Sequence, residues 1–434
     1  MILKICAKII NKFKKIAFSP ETLSLCKKSP SDFTRKRKLC FQTLILFLIN
    51  FVKSSLQNEL DQFFKVFLNQ NLPDKYVASS ALCEARKKLK VETFPLLGKL
   101  FVDMVYQHLN INKWKGLRLV ATDGTTIKLP DVSCIREHFG GQGNSLNCFT
   151  PMAKVLALYD PLNKFTLAST FNPYKSDERF QLFESLNHLT SGDLLLLDRG
   201  FPAFWLFSAL NNRSINFVCR LPIHKWKIAQ ELIQSGKREA EVTLQANSKN
   251  KRTCLQLELP TDPITLRIIR VDLENAEPEI LITTLLDNSR YPASDFDALY
   301  RQRWFIEEDF KVIKKRLIIE SFPGFSVDAV THHFHATMLA KNIAALLWFF
   351  PEQQLRTAQT DNKLKYQTNK TLVLSKMKDT LILIFTRSCK FVDELITDLL
   401  HILLKCTSPI RPGRSFVRKK NRKSGVHMKY KPIR

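Results

Sequence analysis

The chain has 434 residues, of which 45% are hydrophobic and 25% are charged, and this ordinary globular usage excludes a disordered or collagen-like protein. Lys and Arg total 67 against 40 Asp and Glu, and the resulting net charge of +27 requires a polyanionic partner, with nucleic acid as the leading candidate. The 12 glycines form no phosphate-binding loop, so a nucleotide-cradling motif has no support.

The first residues and the cysteines indicate the compartment. A lysine every few residues interrupts the N-terminal apolar run, so the sequence does not predict a signal peptide. The ten cysteines include no Cys-x-x-Cys pair, which favours reduced thiols over structural zinc. The apolar runs 44–52 and 337–350 fall short of the roughly 18 residues that span a bilayer. We therefore predict a cytosolic protein with no membrane association.

Residues 1–113 are predicted to form an all-helical N-terminal domain that binds DNA. Apolar residues recur at helical spacing in three stretches: 41–51, 60–68 and 94–105. Basic clusters at 35–38 and 86–90 suit contacts with phosphates, although a solvated helix face would have the same pattern.

From residue 114 short apolar runs alternate with a helical pattern at 177–189, which indicates an α/β unit over 114–221. The strands are predicted at 117–122, 155–159, 165–171, 194–197 and 215–221. The run 194–197 is apolar at every position, as in a strand buried on both faces. Asp123 and Asp198 each follow a predicted strand next to a glycine or near one, although a helix cap or a turn would explain either residue equally well.

The rest of the chain divides into three predicted segments. Residues 222–290 read as a β-rich insertion subdomain, with alternating runs at 239–244, 254–259, 264–271 and 280–285. Residues 291–350 return to helical periodicity, with one helix predicted over 295–317 and another over 330–350. Residues 351–434 are predicted to contain amphipathic helices within 372–404 and a flexible basic tail over 411–434.

Four polar residues at helical spacing would share one face of the helix over 295–317: Tyr300, Arg303, Glu307 and Lys314. A carboxylate between two cations suits a site that holds a metal ion beside a phosphate, while an ion-paired solvent face is the alternative. Asp123, Asp198 and Glu307 together could surround two divalent ions about 4 Å apart.

With these motifs the chain resembles the DDE transposases of bacterial insertion sequences, of the IS-four type. The family signature places Tyr, Arg, Glu and Lys with two, three and six residues between them, as residues 300–314 do. Asp-Gly-Thr at 123–125 and Asp-Arg-Gly-Phe at 198–201 match the blocks around the two aspartates, with Phe201 where many relatives have Tyr. The stretches 33–39 and 85–89 resemble the family's N-terminal domain.

The resemblance implies a ribonuclease-H-like, retroviral-integrase-like catalytic core, whose two parts would be 114–221 and 291–350. Asp123 on the first strand, Asp198 after the fourth and Glu307 on a later helix would be the catalytic residues and would hold two Mg²⁺ or Mn²⁺ ions. Three further residues would contact DNA: Tyr300 would position the strand, and Arg303 and Lys314 would bind phosphates.

The same resemblance implies cut-and-paste transposition in the bacterial cytoplasm, at the nucleoid. The partners would be double-stranded DNA, both the element's terminal inverted repeats and the target, and a second copy of the chain, since two ends must be cut together. The helices of 372–404 are a candidate dimer interface. A domesticated nuclease and a catalytically inactive DNA-binding protein remain alternatives.

The sequence leaves the roles of two tryptophans to be tested. We expect Trp304, next to the signature, to pack in the core, although it could stack on a base. Trp226 lies between two lysines, and core packing and stacking fit it equally well.

Overall fold

A computed structural model describes five stretches of the chain: residues 2–52, 55–143, 149–273, 277–357 and 366–409. The basic tail predicted at 411–434 lies outside the described residues. Over the described residues, no helix combines the length and the apolar character that crossing a membrane requires.

The elements between residues 2 and 108 are helices, and α3, α4 and α6 fall on the three stretches with helical periodicity. Their bounds are α1 Ile2–Ala17, α2 Pro20–Cys26, α3 Phe41–Ile49, α4 Leu56–Leu68, α5 Ser79–Lys87 and α6 Thr93–His108. Ser19 and Ser55 cap α2 and α4 by accepting backbone N–H groups, which satisfies donors that a helix start leaves free.

One large mixed sheet forms the centre of the molecule, so the fold is mixed α/β. Its strands are β1 Arg118–Lys128, β2 Gly141–Gly143, β3 Phe149–Tyr159, β4 Thr166–Ser169, β5 Asn172–Pro173, β6 Asp193–Leu197, β7 Asn216–Leu221, β8 Glu239–Leu244, β9 Ile264–Val271 and β10 Glu279–Thr283. The order is β2-β3-β1-β6-β7-β10-β9-β8, with β4 and β5 also paired to β3. Strand β1 is antiparallel to β3 and parallel to β6, and β6 is parallel to β7.

Helices cover the sheet on both faces, and β6 shows why its sequence is apolar throughout. Leu195 and Leu197 pack on one side with α9 (Phe204–Asn212), while Leu194 and Leu196 pack on the other with α12 (Phe296–Arg301). All four leucines are fully buried, which confirms the prediction of a strand buried on both faces. Between β1 and α9 lie α7 Ser133–Phe139 and α8 Glu178–Glu184.

The segment 222–290 differs from its prediction in two respects. Its strands β8, β9 and β10 extend the central sheet, because β10 pairs with β7. Two helices also occur in it, α10 Lys227–Gln234 and α11 Ser248–Gln256, so the strand predicted at 254–259 is wrong. Asn247 caps α11, and Cys254 turns into the core from a helix rather than a strand. Trp226 packs against this core, with its ring centroid 6.1 Å from that of Phe207.

The C-terminal helices share one apolar core with the N-terminal ones. They are α14 Val327–Thr357, α15 Lys370–Met377, α16 Thr380–Thr386 and α17 Cys389–Lys405, and a two-stranded sheet joins β11 Tyr366–Thr368 to β12 Thr407–Pro409. Phe385 of α16 contacts Phe13 and Phe18, at centroid distances of 6.1 and 6.3 Å. The inner faces of the candidate dimer helices are therefore buried within the chain, although Leu372, Phe391 and Ile402 stay exposed. The domain limits remain predictions.

Candidate active site

Asp123 lies within β1, which continues to Lys128 instead of ending at residue 122 as predicted. The strand is longer than its apolar run because β3 pairs with it from Ala121 to Lys128, with Asp123 opposite Ala157. In the parallel pair, Ala121 is opposite Leu196. Two residues further along, Asp123 is level with Asp198, so the two aspartates stand side by side at one edge of β6.

Asp198 directly follows β6, and several contacts hold its backbone. Its carbonyl accepts the N–H of Phe201 at 3.0 Å, which closes a turn, and Phe201 itself is buried in the core. One residue earlier, the hydroxyl of Tyr300 donates to the carbonyl of Leu197 at 3.1 Å. Tyr300 thereby links the helical segment of the signature to the end of β6.

The signature segment is helical but not one continuous α-helix. After α12 come a 3₁₀ turn at Gln302–Trp304, α13 at Phe305–Lys311 and a π-helical turn at Val312–Arg316. Ile306, Phe310 and Ile313 pack with residues of β1 and β3, which orients the segment towards the sheet. The four predicted residues still face the same edge, and the irregular turns lie beside it, as is frequent at functional sites.

Arg303 lies between two of the predicted carboxylates. Its Nη1 is 3.6 Å from Oδ2 of Asp123, and its Nη2 is 3.3 Å from Oε1 of Glu307. The side chain is buried, and Nη1 has no hydrogen-bond partner among the described residues. Burial opposes its charge, but the neighbouring phenol of Tyr300 and the carboxylates raise the pKa of Arg303 overall.

Asp123 is the carboxyl most affected by this environment. The pKa of Asp123 is raised to about 6 overall. Burial is the main cause, the charges of Asp198 and Glu307 add to it, and the Arg303 guanidinium and the N–H of Gly124 oppose it. The two other carboxylates therefore lie close enough to interact with Asp123 electrostatically. Three acids face one guanidinium here, so the site retains an excess of negative charge.

The three carboxylates fit a hard divalent cation by their chemistry, because Mg²⁺ and Mn²⁺ prefer oxygen ligands. As the side chains stand, no three His, Cys, Asp or Glu residues within the described ranges form a group that could hold a metal ion. The geometry at Arg303 explains this arrangement, because its guanidinium fills the space between Asp123 and Glu307.

Lys314 and Glu178 complete the surroundings of β1. The Nζ of Lys314 donates to Oγ1 of Thr125 at 2.6 Å, so this lysine also reaches the strand that carries Asp123. Glu178, which sequence reasoning missed, packs against Gly124: a Cβ on that glycine would be 2.3 Å from its Oε1. The glycine after Asp123 was the available signal, since it allows close approach of another group.

The neighbours of Glu307 behave differently from it. Glu308 pairs with Lys311 on the exposed side, and Asp309 is buried in an ion pair with Lys341, so neither faces the site, as the helical geometry predicts. The prediction for Trp304 is wrong. It is 49% exposed because the 3₁₀ turn directs it outwards, next to the exposed Phe305.

Comparison with known proteins identifies the family. The family model described as a transposase DDE domain matches residues 114–343, more than half of the chain. The chain belongs to the DDE transposases. This span covers Asp123, Asp198 and the signature segment, so the acidic site lies within the matched domain.

Two relatives of this DDE transposase come from Escherichia coli K12. It is 24% identical to the transposase InsG of insertion sequence element IS4 over 69% of this chain and 67% of that protein. It is 26% identical to the putative transposase InsZ over 42% of this chain and 61% of that protein. The first relative supports membership of the IS4 type.

A solved structure also resembles the chain. This is the cryo-EM structure of a piggyBac transposase synaptic complex with hairpin DNA, with a TM-score of 0.48 and 11% identity. The match covers 94% of this chain and 87% of that one.

Proposed function

We propose that this DDE transposase moves an insertion sequence by a cut-and-paste route. It would hydrolyse a strand at the element's end to free a 3′-hydroxyl, and then join that hydroxyl to target DNA. Asp123, Asp198 and Glu307 would be the catalytic residues. An inactive or domesticated relative is the competing proposal, but the complete set of acids does not favour it.

The observation that carries this proposal is the position of Arg303. A buried positive charge touches Asp123 and Glu307, and Asp198 is level with Asp123 on the adjacent strand. A cation is therefore already favoured between these acids. Replacing the guanidinium by divalent ions would balance the negative charge more fully.

The fold that we propose for the core is ribonuclease-H-like, preceded by an all-α N-terminal domain. The order β4, β3, β1, β6, β7 supports the core assignment: β3 is antiparallel to β1, and β6 and β7 are parallel to it. If the short β2 and β5 are set aside, Asp123 is on the first strand and Asp198 follows the fourth.

The chain's own residues would prepare the reaction as follows. Two Mg²⁺ or Mn²⁺ ions, when bound, would activate a water or 3′-hydroxyl and stabilise the departing oxygen of the phosphodiester. Asp123, Asp198 and Glu307 would hold them. Because α13 packs on β1 and β1 pairs with β6, the backbones that carry the three carboxylates are held relative to one another, and only side chains would have to turn when the guanidinium of Arg303 leaves.

Arg303 and Lys314 would bind phosphates of the cleaved strand. A guanidinium released from its carboxylates can bind phosphate oxygens through two parallel hydrogen bonds, and a lysine adds a point charge. The environment of Tyr300 differs from the one that a contact with DNA would require. It is 7% exposed, and its hydroxyl is bonded to Leu197, so we propose that it positions the end of β6 and Asp198.

The partners follow from the same reaction. Double-stranded DNA would be bound both as the element's terminal inverted repeats and as target. A homodimer on DNA would bring two ends together, and the bacterial nucleoid in the cytoplasm is the location where this substrate occurs. The net charge of +27 supports attraction to DNA over a long range.

A cleavage assay tests the proposal. A labelled duplex carrying the element's end is incubated with Mg²⁺ and with wild type, Glu307→Gln or Glu308→Gln. Loss of a metal ligand should reduce strand cleavage by at least about 100-fold while DNA binding is retained. Glu308→Gln is the matched control, because this exposed neighbour pairs with Lys311, and it should cleave normally.

Two results would contradict the proposal. Cleavage by Glu307→Gln at the wild-type rate would remove Glu307 from the metal site. Binding of the end without cleavage by any of the three proteins would favour the inactive DNA-binding alternative.

A further inference from the structure

A cavity with a mixed apolar and polar lining lies away from the acidic site, between the N-terminal helices and the loop before α14. Its volume is about 990 Å³. The lining comes from four places: residues 55–57 at the start of α4, one face of α5, Cys134 of α7, and residues 322–328. None of the six residues assigned to the reaction lines it. The size is at the upper end for small-molecule sites, enough for a nucleotide unit.

Arg86 of α5 is the unusual residue of this cavity. Only 7% of it is exposed, and within the described ranges its guanidinium makes no hydrogen bond or ion pair. A Cβ at Gly324 would be 2.8 Å from its Nη2 and 3.2 Å from its Nη1, so the missing side chain makes room for the guanidinium at the cavity wall. The guanidinium is therefore held at the cavity wall without a bonded counter-charge among the described protein groups, where an anion in the cavity could reach it.

The other charges at the cavity are balanced by protein groups. Lys87 pairs with Glu84 at 2.7 Å, and Asp328 pairs with Lys28 at 2.6 Å. Asp328 and Cys83 act on Arg86 only through their electrostatic influence, and burial lowers its pKa despite them. The positive charge of Arg86 is therefore the one left for an external anion.

The surroundings of Arg86 suit a phosphate with an apolar neighbour. The first turns of α4, α5 and α14 contribute Ser55, Ser79 and Asp328 to the lining, and helix starts carry a partial positive charge. Phe325 is 45% exposed and lines the same cavity. One end of the cavity thus favours an anion, and the ring of Phe325 offers a surface for a sugar or base.

We propose that this cavity binds a backbone phosphate of DNA, with Arg86 as its ligand and Phe325 against the adjoining nucleoside. The inference rests on the proposed function only in taking DNA as the substrate. It adds a contact remote from the cleaved bond, where the N-terminal helices meet the loop before α14. Such a contact would position the duplex without reading its sequence.

The test compares Arg86→Met with Lys99→Met, a change of equal charge on α6 outside the cavity, where Lys99 is exposed and paired with Asp103. DNA affinity is measured over a range of salt concentrations. Arg86→Met should bind roughly 10- to 100-fold more weakly, and the slope of log K against log salt should fall by about 0.9, as for one lost phosphate. Equal losses in both variants would overturn the proposal.

Thermal unfolding of the free protein separates a ligand role from a structural one. Removal of an unpaired buried charge should leave the Tm of Arg86→Met unchanged or raise it. A lower Tm would show that Arg86 has a stabilising partner, which contradicts the proposal.

Inorganic phosphate distinguishes the two sources of the anion. At equal ionic strength, phosphate should raise the Tm of wild type relative to chloride, but not that of Arg86→Met. Stabilisation by phosphate combined with unchanged DNA affinity in Arg86→Met would mean a site for free phosphate and would overturn the DNA assignment.

The outcome is independent of catalysis. Glu307→Gln should bind DNA with the wild-type salt slope, since it leaves the cavity intact. If no variant cleaves but only Arg86→Met loses affinity, the proposed function fails and the cavity proposal stands.

Discussion

Four Lys or Arg side chains are buried in the described part of the chain, and their partners distinguish their roles. Arg267 pairs with Glu239 and donates to two carbonyls, and Lys341 pairs with Asp309. These are structural cations with satisfied charge. Arg303 contacts carboxylates to which we assign the reaction, and Arg86 has no bonded partner among the described residues. Of these four described cations, the two without a purely structural partner are thus the two that we propose bind phosphate.

His335 should make the protein sensitive to acid. Burial, followed by the nearby His332, lowers its pKa from about 6.5 to about 3. Between these values the unfolded chain takes up a proton that the folded chain excludes, so stability falls as the pH drops below about 6.5. The unfolding free energy of wild type should decrease between pH 7 and pH 5 by about 2 kcal/mol more than that of His335→Leu.

Denaturant titrations at the two pH values measure this difference. The same loss in wild type and His335→Leu would show that His335 is protonated in the folded protein.

At the scale of elements, buried polar contacts connect α13 to α14 on the side that faces away from the acidic site. Lys341 of α14 forms a buried ion pair with Asp309 and donates to Oγ1 of Thr166 at 2.7 Å. The Oδ1 of Asn342 accepts the backbone N–H of Thr166, and its Nδ2 donates to the backbone carbonyl of the same residue. Asp309 is two residues from Glu307, so this polar cluster fixes the helix that carries the third carboxylate.

Removal of one partner should be costly. Lys341→Met would leave Asp309 buried without its counter-charge, and we expect a loss of about 3–5 kcal/mol in the free energy of unfolding. The double variant Lys341→Met/Asp309→Leu should recover most of that loss, because both charges are gone. Chemical denaturation of the three proteins checks the prediction. A double variant as unstable as the single one would show that the pair itself is not the cause.

The same elements show how much of the fold can be predicted from the sequence. The periodicity of apolar residues correctly predicted α3, α4, α6 and α14, and the apolar run correctly predicted β6. These elements can be predicted because burial on one or both faces determines where apolar side chains occur along the sequence. The extension of β1 past Asp123 depends on pairing with β3, which no local pattern reveals. The helical turns at 302–304 and 312–316 likewise arise from packing on the sheet.

The candidate site could be predicted from the sequence only in part. Spacing placed Tyr300, Arg303, Glu307 and Lys314 on one face, and the structure brings all four to the edge near Asp123. The contact between Arg303 and Asp123 spans 180 positions in the sequence, so only the folded sheet establishes it.

At the scale of the molecule, the first and the last helices of the described residues are parts of one core. Residues of α1, α3, α4 and α6 belong to the same apolar cluster as those of α14 to α17. A protein ending at residue 365 should therefore expose the faces that α15, α16 and α17 cover, and we expect it to lose cooperative thermal unfolding and to bind a hydrophobic dye.

Removal of residues 410–434 alone is the control, since every described contact is kept. Calorimetry and dye fluorescence compare the two truncated proteins. Cooperative unfolding of the shorter one would mean that the N-terminal helices and the sheet are stable without the C-terminal helices.

The packing of α1 against α17 also determines when the protein can complete its folding. Bacterial and other ribosomes add about 5–20 residues per second, so roughly 20 to 75 s pass between the synthesis of these two helices. During that interval α1 has emerged while its partner does not yet exist, and its apolar face depends on α6 and on whatever chaperone is present. Helix α1 is thus synthesised long before it can reach its final packing.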